Sequence, residues 1–339
     1  MNATSRRDFL RMTALGGAGM AAALAGMRPT AALAADPVAL QLGWLKSVQY
    51  GGSFIAEERG YYAAEDLAVT LLSGGPNAPV DPVVISGQAL VGVSATDFAA
   101  RAFLNGAPYK ILGAKNQRHA FCITSRADAP VMDPAALESG VRLGLATINQ
   151  PVLDAIVRLN GLDASKINVV TTQGTPAELA NGQVDCFLTL FTTGPIELEL
   201  QGIETYSFLL SDFGYNIFSG IYIALEESLT ERRDLLLRLL RAEIRGWQDF
   251  TDDIPYAVDL TVNKYAADQG LNPDQQLLQG EAQRGLLVTP DTEAHGLFWM
   301  TEEKIAANLE TMALLGIDVD ESLFSNELLA EIYQGASRI

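Results

Sequence analysis

The chain has 339 residues, of which 48% are hydrophobic, and a formal net charge of -18 at pH 7. That length suits two lobes of ordinary size, and the acidity excludes nucleic acid and anionic headgroups as partners. The two histidines, His119 and His295, stand far apart and in no ligand spacing, so no metal and no cofactor is expected.

The N-terminus carries an export signature. Ser5-Arg6-Arg7-Asp8-Phe9-Leu10 resembles the twin-arginine motif, an apolar stretch runs from Ala14 to Gly26, and Ala32-Leu33-Ala34 supplies an A-x-A cleavage site. The stretch falls short of the roughly 20 apolar residues that span a bilayer. Residues 1–34 are therefore expected to be a signal peptide cleaved near Ala34, with the mature protein in the periplasm. Cleavage removes Arg6, Arg7, Arg11 and Arg28 against Asp8 alone, which leaves the rest more acidic still. No later apolar run approaches membrane-spanning length.

From Val38 onward, strand and helix patterns alternate. Val38–Leu42 reads as a strand, and Phe54, Ile55, Tyr61 and Tyr62 follow at helical spacing, interrupted by Gly60. Val69–Leu72 is a second strand, Gly74-Gly75-Pro76-Asn77 a loop, and Val80–Val84 a short helix ended by Gly87. Leu90–Val93 is a strand. The next helix sets Phe98, Ala99, Ala102 and Phe103 on one side. Strands follow at Tyr109–Ala114, Phe121–Thr124 and Arg142–Leu145. Asn149 is placed to cap a helix with Leu153, Ile156 and Val157 inward. Ile167–Val170 is a strand, Thr175-Pro176-Ala177-Glu178 a capping box, and Cys186–Leu190 another strand. Cys122 and Cys186 sit inside apolar runs; a periplasmic address permits a disulfide, but the spacing gives no framework and buried free thiols are expected. Beyond about Tyr222 the chain reads as almost wholly helical. Ser228 is placed as a cap, and Leu236, Leu240, Ile244 and Trp247 share one face. The rhythm predicts an α/β protein with parallel or mixed sheets, helices outside and a helical C-terminal segment.

The resemblance to a known family starts at Trp44. Trp44, Gln49-Tyr50-Gly51-Gly52, and Ala56 through Gly60-Tyr61-Tyr62 resemble the opening of the NMT1/THI5-like solute-binding proteins. Gly74-Gly75-Pro76 and Ser86-Gly87-Gln88-Ala89 with Gly92-Val93-Ser94 match their next turns. Ser228-Leu229-Thr230, Arg241-Ala242 and Gly246-Trp247 resemble their long C-terminal helix. The resemblance implies a two-lobed periplasmic binding protein of type II, its ligand in the cleft between lobes and its chain crossing twice. One lobe is expected to hold 36–123 with 219–339, and the other 124–218. It implies the receptor of an ABC importer, with permease and ATPase subunits as partners, and a monomer. Family ligands include thiamine pyrimidine precursors and flavin, and in distant relatives nitrate, sulfonates or taurine, so fold leaves the ligand open. One departure stands out. Where many relatives carry aromatic-x-x-Asn-Glu-Pro, this chain reads Phe191-Thr192-Thr193-Gly194-Pro195, without the carboxylate. That weakens the thiamine-precursor reading. The absence of a cysteine-rich iron motif weakens the alternative of a periplasmic or THI5-like biosynthetic enzyme.

In open α/β sheets, ligands sit beyond the C-terminal ends of strands and near helix N-termini. That selects Trp44, Gln49 and Tyr50, with Gly51-Gly52 allowing close approach; Ser94, Thr96 and Asp97; and Gln117 with Arg118, the one obvious cation near the cleft. From the other lobe it selects Thr147 and Asn149, Phe191 and Thr193, and Tyr215 before the second crossing. Each has a structural alternative: a core Trp or Phe, a helix cap, a hinge ion pair. No catalytic residue is assigned, since the chain has no nucleophile elbow and no nucleotide-binding glycine spacing. The expected function is capture of a small aromatic or heterocyclic solute, with an anion such as a sulfonate, taurine or nitrate as the alternative.

Overall fold

The computed structural model describes residues 35–75 and 77–339. The expected signal segment lies outside the described residues, as does Pro76. Ten strands form: β1 Asp36–Gln41, β2 Leu67–Leu72, β3 Val91–Ala95, β4 Tyr109–Asn116, β5 Phe121–Arg126, β6 Arg142–Leu145, β7 Asn168–Thr171, β8 Cys186–Leu190, β9 Thr205–Leu209 and β10 Ser219–Leu225. They build two five-stranded sheets, in the orders β2-β1-β3-β10-β4 and β7-β6-β8-β5-β9.

The sheets share one design. In the first, β1 pairs parallel with β2 and β3, while β10 runs antiparallel between β3 and β4. In the second, β6 pairs parallel with β7 and β8, while β5 runs antiparallel between β8 and β9. Each sheet thus receives one strand from the other's connection, β5 by a crossing at 117–120 and β10 by a crossing at 210–218. This is the two-lobed α/β architecture of type II. β5 pairs with the second sheet along its whole length, from Phe121↔Leu190 to Ser125↔Cys186. The boundary expected after Ile123 therefore falls inside a strand, because Phe121–Ile123 already bond the second sheet.

Helix-period burial works as the spacing predicts: Leu236, Leu240, Ile244 and Trp247 are all fully buried on helix Arg233–Asp252. Ser228 does not cap that helix. It lies in a separate turn, Ser228–Glu231, and the chain breaks at Arg232. Glycine sets the approach of this helix to helix Gly51–Glu58. A Cβ on Gly246 would stand 2.2 Å from the Gly52 carbonyl oxygen, and one on Gly52 would stand 2.2 Å from the Trp247 ring. Gly51 and Gly52 thus serve helix packing, with no backbone left for a ligand to approach. The capping box forms, with the Thr175 N–H donating to Glu178 at 2.7 Å. Asn149 makes no side-chain cap; a 3-10 turn, Thr147–Asn149, precedes helix Gln150–Leu159 instead.

One apolar core fills the space between the first sheet and helix Arg233–Asp252. A second runs from Ile111 and Ile223 through Tyr215 and Phe218 on the crossing into Ile123, Leu143 and Cys186 of the second sheet. Helix Glu302–Leu314 braces that crossing: Phe218 N–H donates to Asn308 Oδ1 at 2.7 Å, and Asn216 N–H to Thr311 Oγ1 at 3.2 Å. No helix among the described residues is long and apolar enough to cross a membrane.

Candidate ligand cleft

Both sheets reverse direction at one place. In the first, the chain goes from β1 outward to β2 and back past β1 to β3; in the second, from β6 to β7 and back to β8. Such switch points open a crevice beyond the carboxyl ends of the strands on either side. Four segments border the two crevices: 42–50 after β1, 94–97 from the end of β3 into the next helix, 146–149 after β6 and 191–193 after β8. They carry ten of the thirteen residues singled out from the sequence. Of the other residues, Gln117, Arg118 and Tyr215 lie on the two crossings between sheets.

In and beside these loops several large apolar groups are uncovered, while Leu42, Val48 and Tyr50 are buried. Trp44 is 51% exposed, and Leu45 beside it is similarly open. Phe98, on the first turn of helix Thr96–Leu104, is 61% exposed; Ile148, after β6, is 83% exposed; Leu190 closes β8 half-uncovered. Sequence reasoning missed Leu45, Phe98, Ile148 and Leu190. It placed Phe98 on the core face, which Ala99 and Ala100 in fact occupy. The signal available was an apolar residue at a strand's last position or three to four positions past it, where a helix core does not need it.

The other side chains divide into available and committed. Ser94, Asp97, Asn149, Phe191 and Thr193 are half-buried, and Thr147 is exposed. Thr96 is fully buried and donates to Phe218 O at 2.9 Å, tying β3 to the second crossing. Gln117 is 4% exposed and gives both amide hydrogens to backbone, Ala114 O and Trp299 O, each at 2.9 Å. Tyr50, also 4% exposed, turns its hydroxyl to the Gly43–Trp44 backbone, so it supports the loop from inside and offers no aromatic wall. Arg118 Nε donates to Ser211 Oγ at 2.8 Å and its guanidinium pairs with Asp212, both on the second crossing. The Gln49 carbonyl accepts from Lys115 Nζ at 2.6 Å and from Gln283 Nε2 at 3.2 Å. Lys115, a residue the sequence did not single out, lies buried over the Trp247 ring at 4.3 Å. Burial lowers its ammonium to about 7, with Glu243 pulling weakly the other way.

The crossings hold a largely buried aromatic cluster, in which Tyr215 belongs to the core. His119 stacks on Phe121 at 4.1 Å, and Tyr215 meets both edge-on at 6.1 and 6.0 Å. The Phe121 N–H donates to His119 Nδ1 at 3.1 Å, and burial lowers the imidazole to about 4, so the ring is neutral. Burial also raises the Asp97 carboxyl, against the N–H groups of Phe98 and of Asp97 itself. An open pocket of about 310 Å³ lies where Phe191, Pro195, Ile196 and Ser207 face Leu278 and Ala282 of helix Pro273–Leu287. That volume falls in the range of small-molecule sites, about 300–1,000 Å³. A second pocket, about 50 Å³, lies by Ala89 and Leu225, at the opposite end of the first sheet. Among the described residues no group of three His, Cys, Asp or Glu could hold a metal ion. Cys122 and Cys186 are free, and burial pushes both thiols up to about 12.

Comparison with known proteins agrees with this geometry. The riboflavin-binding protein RibY of Chloroflexus aurantiacus is 24% identical over 328 residues, covering 91% of this chain and 90% of its own. The periplasmic aliphatic sulphonate binding protein SsuA of Escherichia coli superposes with a TM-score of 0.63 at 15% identity, over 83% of this chain and 92% of that one. The desulfurization enzyme DSZB has the same fold, with a TM-score of 0.57 at 14% identity, over 88% of this chain and 99% of that one. Residues 47–253 match the family described as NMT1/THI5 like, so this chain, with its two-lobed periplasmic-binding-protein fold, belongs to the NMT1/THI5-like family.

Proposed function

We propose that this protein is the extracytoplasmic receptor of an ABC importer and captures a small aromatic heterocycle of the flavin or pyrimidine type in the cleft between its sheets. One observation carries the reading: Trp44, Leu45, Phe98, Ile148 and Leu190 lie uncovered at the switch-point ends of both sheets. Covering their exposed apolar area is worth about 25 cal/mol per Å², which a ligand with flat apolar faces recovers. The relative named for riboflavin binding points the same way.

Transport, export to the periplasm through the twin-arginine route and service to separate permease and ATPase subunits belong to this proposal. So does the absence of catalysis, although DSZB is an enzyme on this fold. The thiol nearest the hinge, Cys122, is buried and held protonated, unlike a reactive nucleophile.

Native mass spectrometry of the freshly purified mature protein tests the proposal, followed by a thermal-shift screen of riboflavin, aminopyrimidines, alkanesulfonates and nitrate. Copurification or stabilisation by a heterocycle supports it. Stabilisation by the sulfonate or nitrate alone overturns it.

A further inference from the structure

We propose that Lys115 is a positioning residue for the ligand: it holds the loop after β1 from beneath, so that Trp44 and Leu45 stand ready at the cleft, and binding follows the charge on this one buried side chain. The inference rests on the heterocycle reading above and adds what holds that site in shape.

Lys115 is the last but one residue of β4 and only 3% exposed. A buried ammonium is costly unless it is bonded, and here each part of the side chain has a place. Nζ donates to the Gln49 carbonyl at 2.6 Å. It also stands 4.3 Å from the centre of the Trp247 ring and 5.5 Å from that of Tyr50, whose faces attract a cation. The stem runs past Gly220 at the start of β10, where a Cβ would stand 2.7 Å from Lys115 Cε. The glycine leaves room for the lysine.

This contact reaches both ends of the loop. Gln49 and Tyr50 close it, and the Tyr50 hydroxyl turns back to the Gly43–Trp44 backbone where it begins. Helix Pro273–Leu287 braces the same end with neutral groups: Gln283 Nε2 donates to the Gln49 carbonyl at 3.2 Å, and Gln276 Oε1 accepts from the Val48 N–H at 2.8 Å. Lys115 supplies the charged donor on that carbonyl, and a charged donor makes a bond roughly twice as strong as a neutral one. Releasing Gln49 frees Tyr50, and with it the backbone that carries the exposed Trp44 and Leu45.

Little charge faces Lys115. On helix Arg233–Asp252 the buried Glu243 is bonded by Ser53, Tyr62, Tyr222 and Trp247. Tyr50 in the loop and Tyr222 on β10 have phenols that burial raises, so both stay neutral. On helix Pro273–Leu287, Glu281 and Arg284 pair with each other on the exposed side. Burial therefore outweighs the pull of Glu243 and brings the ammonium from 10.5 down to about 7. The side chain is charged at pH 6 and neutral at pH 8. Losing the proton loses the attraction to both rings and weakens the bond to Gln49.

Calorimetry of riboflavin binding at pH 6 and pH 8 tests this. The charged fraction drops from about nine-tenths to about one-tenth between them, which limits the effect to about tenfold. Wild-type affinity should fall at least threefold at pH 8. Lys115→Met keeps an unbranched stem without the charge. It should bind at least threefold more weakly than the wild type at pH 6, with its own two affinities within threefold of each other. Without ligand at pH 6, its amides at 42–50 should exchange hydrogen faster than those of the wild type. A wild-type fall of less than threefold, a variant that falls threefold or more, or unchanged exchange at 42–50 overturns the inference and leaves the heterocycle reading standing. No riboflavin binding at either pH overturns both. The wild-type comparison does not depend on the variant folding.

Discussion

Arg118, on the first crossing between the sheets, pairs with Asp212 on the second. The one cation that the sequence offered to an anionic ligand is a strut between the two connecting segments. Its partner is half-exposed, so the pair contributes little to stability, about 0–1 kcal/mol. Arg118→Ala should lower the unfolding free energy by no more than about 1 kcal/mol in urea and leave riboflavin affinity within threefold. A tenfold affinity loss would return the guanidinium to the ligand.

The helix crossing at Gly52 and Gly246 should tolerate no side chain. A Cβ on Gly246 meets backbone, which cannot swing aside as a side chain can. Gly246→Ala is expected to cost about 1–3 kcal/mol, read as a lower urea midpoint at unchanged slope. Gly285→Ala, where a Cβ meets nothing within 4 Å, is the control and should be neutral or slightly stabilising.

His119 gives the fold an acid sensitivity. Its folded value of about 4 lies below the ordinary 6.5, because burial disfavours the imidazolium. Above pH 6.5 the ring is neutral in both states. As pH falls from 6.5 towards 4, the unfolded chain takes up a proton that the folded chain refuses, so stability is lost across that window. Melting curves at pH 7, 5.5 and 4.5 should fall less steeply for His119→Gln than for the wild type; identical slopes would contradict the assignment.

Export should depend on the arginine pair itself, because that motif is read by a receptor. Precursor with Arg6→Lys and Arg7→Lys should stay in the cytoplasm on fractionation. Normal delivery of this double variant to the periplasm would refute the twin-arginine route.

The sequence made the β-α-β rhythm and the switch-point loops legible, because buried strands and helix caps leave local patterns such as Thr175–Glu178. It did not reveal β9 and β10, since Thr205–Leu209 and Ser219–Leu225 are specified by pairing with β5, β3 and β4, far away in the chain. The site divides for the same reason. Trp44 and Asp97 stand at local strand-to-helix turns, which the sequence shows. Tyr50, Thr96 and Gln117 were chosen by the same rule, yet their polar atoms are spent on Gly43–Trp44, Phe218 and Trp299, partners that only the folded chain supplies. Phe98 and Ile148 look like ordinary helix residues until the adjoining core is seen to be complete without them.

The central claim, that apolar stacking and not charge holds the ligand, is tested most directly by calorimetry of riboflavin binding to Trp44→Ala beside the wild type. Truncating a buried aromatic anchor costs about 2 kcal/mol or more, or about a thirtyfold loss of affinity at about 1.4 kcal/mol per decade. The binding should change little between about 50 and 300 mM salt, since no ion pair carries it. An affinity unchanged by Trp44→Ala, together with binding that weakens steeply with salt, would contradict the account.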